Sequence, residues 1–370
     1  MEKLTFTLLN ILKNLLLIIG SNGSLNLSNI IAEKLINSNI NTILITTLNI
    51  KDINTRYYKR IIFENTNIKK NKINKYLNKY KSKTIFVGSG GYGFFESSFL
   101  LQAKKNNILT FCILDSWSHP LERFKSNKNK YKFLFPDYLG VPFSSTKLII
   151  NEKKNDIKKL IVLGLPHLVN TAIKFSKCKI KLKYDLNLLY ISSPLIDPKP
   201  FKLSKDDIRY NQQKIFDNFI SYFIKFSANN KIKVNIGVKL HPLEIKKNKF
   251  LEFNHLDLNK WVKIYYEDQI KKHIMFKKYN AVFGISSTIL IESIYCNIPT
   301  FSLQTSNGFN KKNNYFKKIP KLNIIKNINE ISCYENKIFT INNNRKIKHY
   351  KYPELNKKFS YFCELIKKNI

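Results

Sequence analysis

Short apolar runs, each closed by small or polar residues, alternate along this chain with longer stretches in which apolar positions recur at helical spacing. The pattern predicts a strand at Leu15-Leu16-Leu17-Ile18-Ile19, a turn at Gly20-Ser21-Asn22-Gly23-Ser24, a helix over 27–37 and a strand at Thr42-Ile43-Leu44-Ile45. The basic, Asn-rich span 51–82 reads as one or two solvated helices. A strand at Thr84-Ile85-Phe86-Val87 runs into Gly88-Ser89-Gly90-Gly91, then a helix over 95–105 and a strand from Leu109 to Leu114 that ends at Asp115. Lys147-Leu148-Ile149-Ile150 and Leu160-Ile161-Val162-Leu163 read as two further strands. After a Lys-rich, poorly patterned stretch over 174–184 the rhythm restarts. Strand Leu186 to Ile191, a long helix over 206–227, strands Lys233 to Leu240 and Trp261 to Tyr266, and a helix over 269–278 follow in turn. The last fifty residues are richer in Lys and Asn and hold a helix over 354–368.

This alternation predicts an α/β fold of parallel sheets covered by helices on both faces. It divides the chain into a Rossmann-like domain over 1–178, a second over 179–345, and a C-terminal helix in 346–370 that packs back on the first. Two such units leave one cleft between them, and in open parallel sheets ligands bind at the carboxyl ends of the strands. Gly88 to Gly91, Asp115, Ser192-Ser193, His241 and Ser286 to Thr288 all follow predicted strands directly, so they are expected to converge there.

Residues 281–303 are the most informative stretch. Ala281-Val282-Phe283 is short and β-prone, Gly284 to Thr288 supplies small side chains and hydroxyls, and Leu290, Ile291 and Ile294 recur at helical spacing before a second strand reaches Leu303. Backbone N–H groups at the start of that helix, with the helix dipole, suit an anion in the turn. Glu292, one turn in, can reach a sugar hydroxyl beside it. The alternative is a strand–helix junction in which Ser286, Ser287 and Thr288 do no more than cap the helix.

Composition narrows the partners. At 370 residues with 44% hydrophobic content the chain is long enough for two packed domains. Its formal charge of +39 suggests nucleic acid, yet of 64 basic residues only five are Arg: Arg56, Arg60, Arg123, Arg209 and Arg345. Arg is the residue suited to base edges and bidentate phosphate contacts, and the charge is spread along the chain with no aromatic-interleaved motif. Nucleic-acid binding is therefore not expected; a loose attraction to anionic membrane surfaces or anionic substrates is. Cys112, Cys178, Cys296, Cys333 and Cys363 are widely separated with no CxxC pair, as in a cytosolic protein with reduced thiols. No apolar run has the length of a membrane span. Asn10, Lys13 and Asn14 interrupt the apolar N-terminus, and no small-x-small cleavage site follows, so 15–19 reads as a buried strand rather than part of a signal sequence.

Three further segments carry candidate chemistry. Lys239-Leu240-His241-Pro242 ends a strand in which Val234, Ile236 and Val238 alternate, which puts His241 at the carboxyl end, where it can donate to a diphosphate or titrate near neutral pH, the alternative being a structural or surface histidine. Gly88-Ser89-Gly90-Gly91 is no P-loop and lacks a dinucleotide fingerprint; it is either a tight turn or a place where backbone approaches substrate. Asp115-Ser116-Trp117-Ser118-His119-Pro120-Leu121-Glu122-Arg123-Phe124 sets Asp, Trp, His and Arg in one loop after a buried strand. There Asp115 is either a general base or the partner of Arg123 in an ion pair. Trp117 either stacks on a ring or plugs an apolar gap, and Arg123 has anion binding as its other role.

In order and spacing these segments resemble the GT-B superfamily: nucleotide-sugar glycosyltransferases and their relatives, the non-hydrolysing UDP-N-acetylglucosamine 2-epimerases and the CDP-glycerol-type polyol phosphotransferases. Lys239-Leu240-His241-Pro242 is similar to the K/R-x-H-P strand end of that superfamily. Gly284-Ile285-Ser286-Ser287-Thr288 with Glu292 and Pro299 is similar to its diphosphate turn and ribose-contacting helix. The Asp115–Phe124 loop, Pro136-Asp137, Gly164-Leu165-Pro166 and Tyr190-Ile191-Ser192-Ser193-Pro194 resemble a bacterial surface-glycan branch, though Ser116 and His119-Pro120 depart from its usual Asp-His-Trp and Asn-Tyr. The acidic cluster of a hydrolysing 2-epimerase is not recognisable.

The resemblance implies a cytoplasmic GT-B glycosyltransferase, peripheral at the inner membrane face, acting on a UDP-, CMP-, CDP- or GDP-linked sugar and a glycan or lipid-linked acceptor. It implies neither metal nor other cofactor. Ser286, Ser287 and Thr288 would hold the donor diphosphate, Glu292 the ribose and His241 a phosphate, with Lys239 and Gly284 beside them. From the residues themselves rather than the resemblance, Gly88, Gly90, Gly91, Trp117 and Arg123 are the further expected substrate contacts, and Asp115 is the first candidate for the catalytic base, with His119 second. The epimerase, the polyol phosphotransferase and a non-catalytic nucleotide-sugar-binding protein are the alternatives.

Overall fold

Successive residues of β1 (Lys13–Ile19) are buried on opposite faces: Leu15, Leu17 and Ile19 join one apolar cluster, Leu16 and Ile18 another. That is the requirement of a central strand covered on both sides. The computed structural model describes residues 13–36, 38–49, 51, 53–89, 94–116, 120–126, 129–153, 157–177, 184–193, 212–241, 244–245, 251–252, 260–267, 272–305, 319, 321–339 and 352–370. They divide into two units, one of 1–167 with 351–370 and one of 168–350.

In the first unit β1 pairs in parallel with β2 (Ile40–Thr46) and β4 (Thr84–Val87). β3 (Arg60–Phe63), β5 (Leu109–Ile113), β8 (Tyr138–Val141) and β9 (Lys159–Val162) extend the sheet to seven strands in the order β3-β2-β1-β4-β5-β8-β9. A small antiparallel ribbon, β6 (Lys125–Ser126) with β7 (Asn129–Phe133), stands apart. Helices Asn22–Leu35 and Tyr352–Lys368 cover one face, where Phe359, Phe362, Cys363 and Ile366 join the cluster of Leu15, Leu17 and Ile31. Helices Lys70–Tyr80 and Phe94–Lys105 cover the other.

The second unit repeats the scheme. β10 (Leu186–Ile191), β11 (Val234–Lys239), β12 (Val262–Tyr266), β13 (Ala281–Gly284), β14 (Thr300–Leu303) and β15 (Leu322–Ile325) form a parallel sheet ordered β12-β11-β10-β13-β14-β15. Helix Gln212–Asn230 lays Phe216, Phe219 and Phe223 on it; Phe219 meets Phe283 at 4.9 Å and Phe283 stacks on Phe301 at 4.7 Å. In both sheets chain order reverses beside the first strand, at β1/β4 and at β10/β13, which is where doubly wound sheets open a crevice at the strand ends.

Several sequence expectations need correction. Lys147–Ile150 is not a strand but lies in helix Ser144–Asn151, where Thr146 and Ile150, four apart, are buried while Leu148 is 63% exposed; β8 takes the place in the sheet. The span 51–82 holds, besides helix Lys70–Tyr80, the edge strand β3, whose Ile61-Ile62-Phe63 run is β-prone. β15 was not expected either. The first part of the stretch read as a linker, up to Lys177, belongs to helix Pro166–Lys177. Helix Gln212–Asn230 ends three residues later than expected, and 206–211 lie outside the described residues. Cys112 and Cys296 are buried as expected, and among the described residues no helix is long and apolar enough to cross a membrane.

Candidate functional site

At the β1/β4 reversal the first unit gathers a polar cluster. Val87 hands the chain to Gly88, whose N–H donates to Ile18 O at 2.8 Å, and Ser89 follows, 3% exposed. Asp115, just past β5, turns its carboxylate into this corner. Its Oδ1 accepts from Arg123 Nη1 at 2.6 Å and from Ser89 Oγ at 3.0 Å. Among the described residues Oδ2 takes only long contacts, 3.4 Å from Ser24 Oγ and 3.5 Å from Ser21 Oγ. Arg123 also donates to Ser89 O at 2.6 Å, and Ser24 Oγ accepts the Ser89 N–H at 3.0 Å. Thus Ser21 and Ser24, Ser89, Asp115 and Arg123 are brought together; the helix expected over 27–37 starts at Asn22 with Ser21 as its N-cap, so the expected turn at 20–24 is cut short and Ser24 lies in the helix's first turn. Gly90, Gly91, Trp117 and His119 lie outside the described residues.

Glu96 belongs to the same corner. It is 5% exposed in the first turn of helix Phe94–Lys105, and its Oε1 accepts the Gly20 N–H at 2.8 Å. A Cβ on Gly20 would fall 2.7 Å from that oxygen, so the glycine is needed for the close approach. Burial, above all, pushes the Glu96 carboxyl up to about 7; the Asp115 charge adds to this, against N–H bonds from its own backbone and Gly20. A cavity of about 20 Å³, room for about one water, lies between Glu96, Gly88, Cys112 and Arg123. Glu96 was missed in the sequence although a signal was there: it is in phase with Phe99, Leu100 and Ala103, so a carboxylate sits on an apolar stripe.

In the second unit the strand ends are level, because Ile191 pairs with Lys239 on one side and with Gly284 on the other. Beyond them stand Ser192-Ser193, His241 and Ile285 to Ser287. A Cβ on Gly284 would lie 2.8 Å from Ile191 O, so only glycine lets β13 leave the sheet this close to β10. Ser286 and Ser287 are partly exposed and Thr288 exposed. Ser287 is the N-cap of helix Thr288–Tyr295; its Oγ accepts the Ile289 N–H at 3.2 Å. Ser193 Oγ donates to Ser286 O at 3.2 Å. Lys239 is 7% exposed and Glu292 3%, with Thr171 Oγ1 donating to Glu292 Oε1 at 3.0 Å. Glu292 therefore faces a protein hydroxyl in this structure.

His241 is half-buried, and that burial holds its imidazole below the usual histidine range. A second carboxyl missed in the sequence, Glu244, is buried beside it, where loss of solvent raises its pKa against bonds from Ser192, the His241 amide and Gln212. The spacing His241-Pro242-Leu243-Glu244 is a partial signal: Pro one position on and Glu three positions on suit a helix start in which the Glu carboxyl reaches back to the His241 amide, although His is not one of the usual capping residues.

Two parallel sheets with interleaved helices, each reversing beside its first strand, define a protein of the GT-B fold. The chain is similar over nearly its whole length to the UDP-GlcNAc 2-epimerase of Methanocaldococcus jannaschii, with TM-score 0.62, 16% identity, and coverage of 94% of this chain and 99% of that one. It is similar also to the UDP-GlcNAc 2-epimerase of Neisseria meningitidis bound to UDP-GlcNAc, with TM-score 0.58, 11% identity, and coverage of 96% and 100%. A glycosyltransferase from Rickettsia africae matches with TM-score 0.56, 14% identity, and coverage of 95% and 94%. No protein-family model and no curated protein sequence matches the chain.

Proposed function

We propose that the protein is a nucleotide-sugar enzyme, and more closely a glycosyltransferase that moves a sugar from a nucleotide donor to a glycan or lipid-linked acceptor in surface-glycan synthesis. The observation that carries this is the Gly284–Thr288 turn: it enters a helix at the β10/β13 reversal, pressed against Ile191 O, with His241 at the neighbouring strand end. A diphosphate in that turn would meet the positive end of the helix dipole and compete with Ser287 Oγ for the Ile289 amide. Neutral His241 would donate one N–H to a phosphate oxygen, and stabilising the departing diphosphate is the electrostatic part of the transfer. The UDP-GlcNAc bound by the Neisseria enzyme is in keeping with a donor of this class. On the acceptor side Asp115 is the proposed base, acting through Oδ2, because Oδ1 is taken by Arg123 and Ser89.

A thermal-shift panel of UDP-, CMP-, CDP- and GDP-linked sugars tests the proposal. At a hundredfold excess over Kd, a bound donor adds about 2.7 kcal/mol. The proposal fails if no donor raises the melting temperature. A second reading, 2-epimerisation, is favoured by the buried Glu96 and Asp115 carboxyls in one corner. It requires epimer to form from UDP-GlcNAc with no acceptor present, and the transferase reading requires that none does.

A further inference from the structure

Ser192 and Ser193 are consecutive at the end of β10, and they reach in opposite directions. Ser193 Oγ donates to Ser286 O, in the turn on the β13 side. Ser192 Oγ donates to Glu244, 2.6 Å from Oε1 and 2.5 Å from Oε2, on the β11 side. Glu244 in turn accepts the His241 N–H on Oε2 at 2.8 Å, and its own N–H donates to His241 O at 2.9 Å. Gln212 Nε2, at the start of helix Gln212–Asn230, donates to Ser192 Oγ at 2.8 Å and to Glu244 Oε1 at 3.3 Å. Ser192 is 1% exposed, Glu244 2% and Gln212 0%.

Burying a carboxyl here costs more than burying an apolar side chain of like volume, so stability alone does not account for it. What it provides is geometry: one carboxyl ties the backbone of His241 to the end of β10, and the next residue of β10 ties in the Ser286 turn. We infer that Glu244 and Ser192 are positioning residues that set where His241 stands relative to the Ser286–Thr288 turn, so that both can act on one diphosphate. The inference rests on the donor-site reading above.

The test is calorimetric titration of the full chain with whichever of UDP, CMP, CDP or GDP stabilises it most, with the melting temperature of every variant measured alongside. Glu244→Ala and Ser192→Ala are each expected to weaken binding about tenfold. In a His241→Ala background Glu244→Ala is expected to cost nothing further, since its effect passes through His241. Glu244→Gln, which keeps an acceptor for the His241 N–H, is expected to bind within about threefold of the parent. Hydrogen exchange at the His241 amide is expected to quicken in both alanine variants, at temperatures where they remain folded. Wild-type affinity in both alanine variants overturns the inference while leaving the donor site standing, and so does an undiminished Glu244→Ala effect in the His241→Ala background. If the parent chain binds none of the four nucleotides, the donor reading falls and this inference with it.

Discussion

Glu96 and Asp115 share a corner of the first unit under different conditions. Asp115 is ion-paired and bonded by hydroxyls, whereas Glu96, 5% exposed, accepts the backbone amide of Gly20. The raised Glu96 pKa has a consequence for stability. The folded chain holds a proton up to about pH 7 that the unfolded chain releases near 4.5. That stabilisation is complete below pH 4.5 and is lost as pH rises through 7; over the window it amounts to about 3 kcal/mol. Denaturant unfolding of the parent and Glu96→Gln between pH 4 and about pH 8 measures it. The parent should lose stability relative to the variant across that range; parallel curves would show that Glu96 titrates normally. The sequence could not have given this pKa, because nothing in Phe94-Phe95-Glu96 says that Gly20 and Gly88 would close over the carboxyl.

The segment 281–303 folds as its pattern predicts: a four-residue strand, a turn capped by Ser287, a helix and a strand. It was legible because each local signal agreed with the others: β-prone run, small residues and helical spacing. Lys147–Ile150 was misread for want of such agreement, since four residues of mixed pattern suit either state and only the burial of Thr146 with Ile150 decides between them. Gly284 is where this element is most sensitive. Gly284→Ala should destabilise the second unit by about 1–3 kcal/mol, because the atom that its Cβ meets is backbone and cannot turn aside. Ser287→Ala should cost about 1 kcal/mol through loss of the cap. Unfolding free energies of the two variants check both values, and an unchanged Gly284→Ala would mean that β10 and β13 part more easily than their pairing suggests.

Across the whole molecule, the repeating rhythm of strands and helices revealed two doubly wound units, and what it left out were edges and packing partners. β3 and β15 are edge strands in which only Ile325 is buried, and their short runs stand out little from the Lys- and Asn-rich sequence around them. Helix Tyr352–Lys368 supplies Phe359, Phe362 and Ile366 to the core of β1 and β2, far away in sequence, with Phe362 edge-on to Phe111 at 5.6 Å. Phe362→Ala should therefore cost the first unit about 3–5 kcal/mol, read as a loss in denaturant midpoint. A loss of under about 1 kcal/mol would mean that the helix is peripheral to that core. The candidate site was legible in part: strand ends and small-residue turns mark it in sequence, whereas Glu96 and Glu244 leave only faint local signals and their burial emerges from three-dimensional packing. The central claim, a nucleotide-sugar donor in the Ser286–Thr288 turn, is tested most directly by calorimetric titration of the parent and Ser287→Glu with UDP, CMP, CDP and GDP. The expected result is that one nucleotide binds the parent with Kd below about 1 mM and binds the variant at least about tenfold more weakly, as a carboxylate placed against a diphosphate requires. Equal binding to both, or no binding to either, would contradict it.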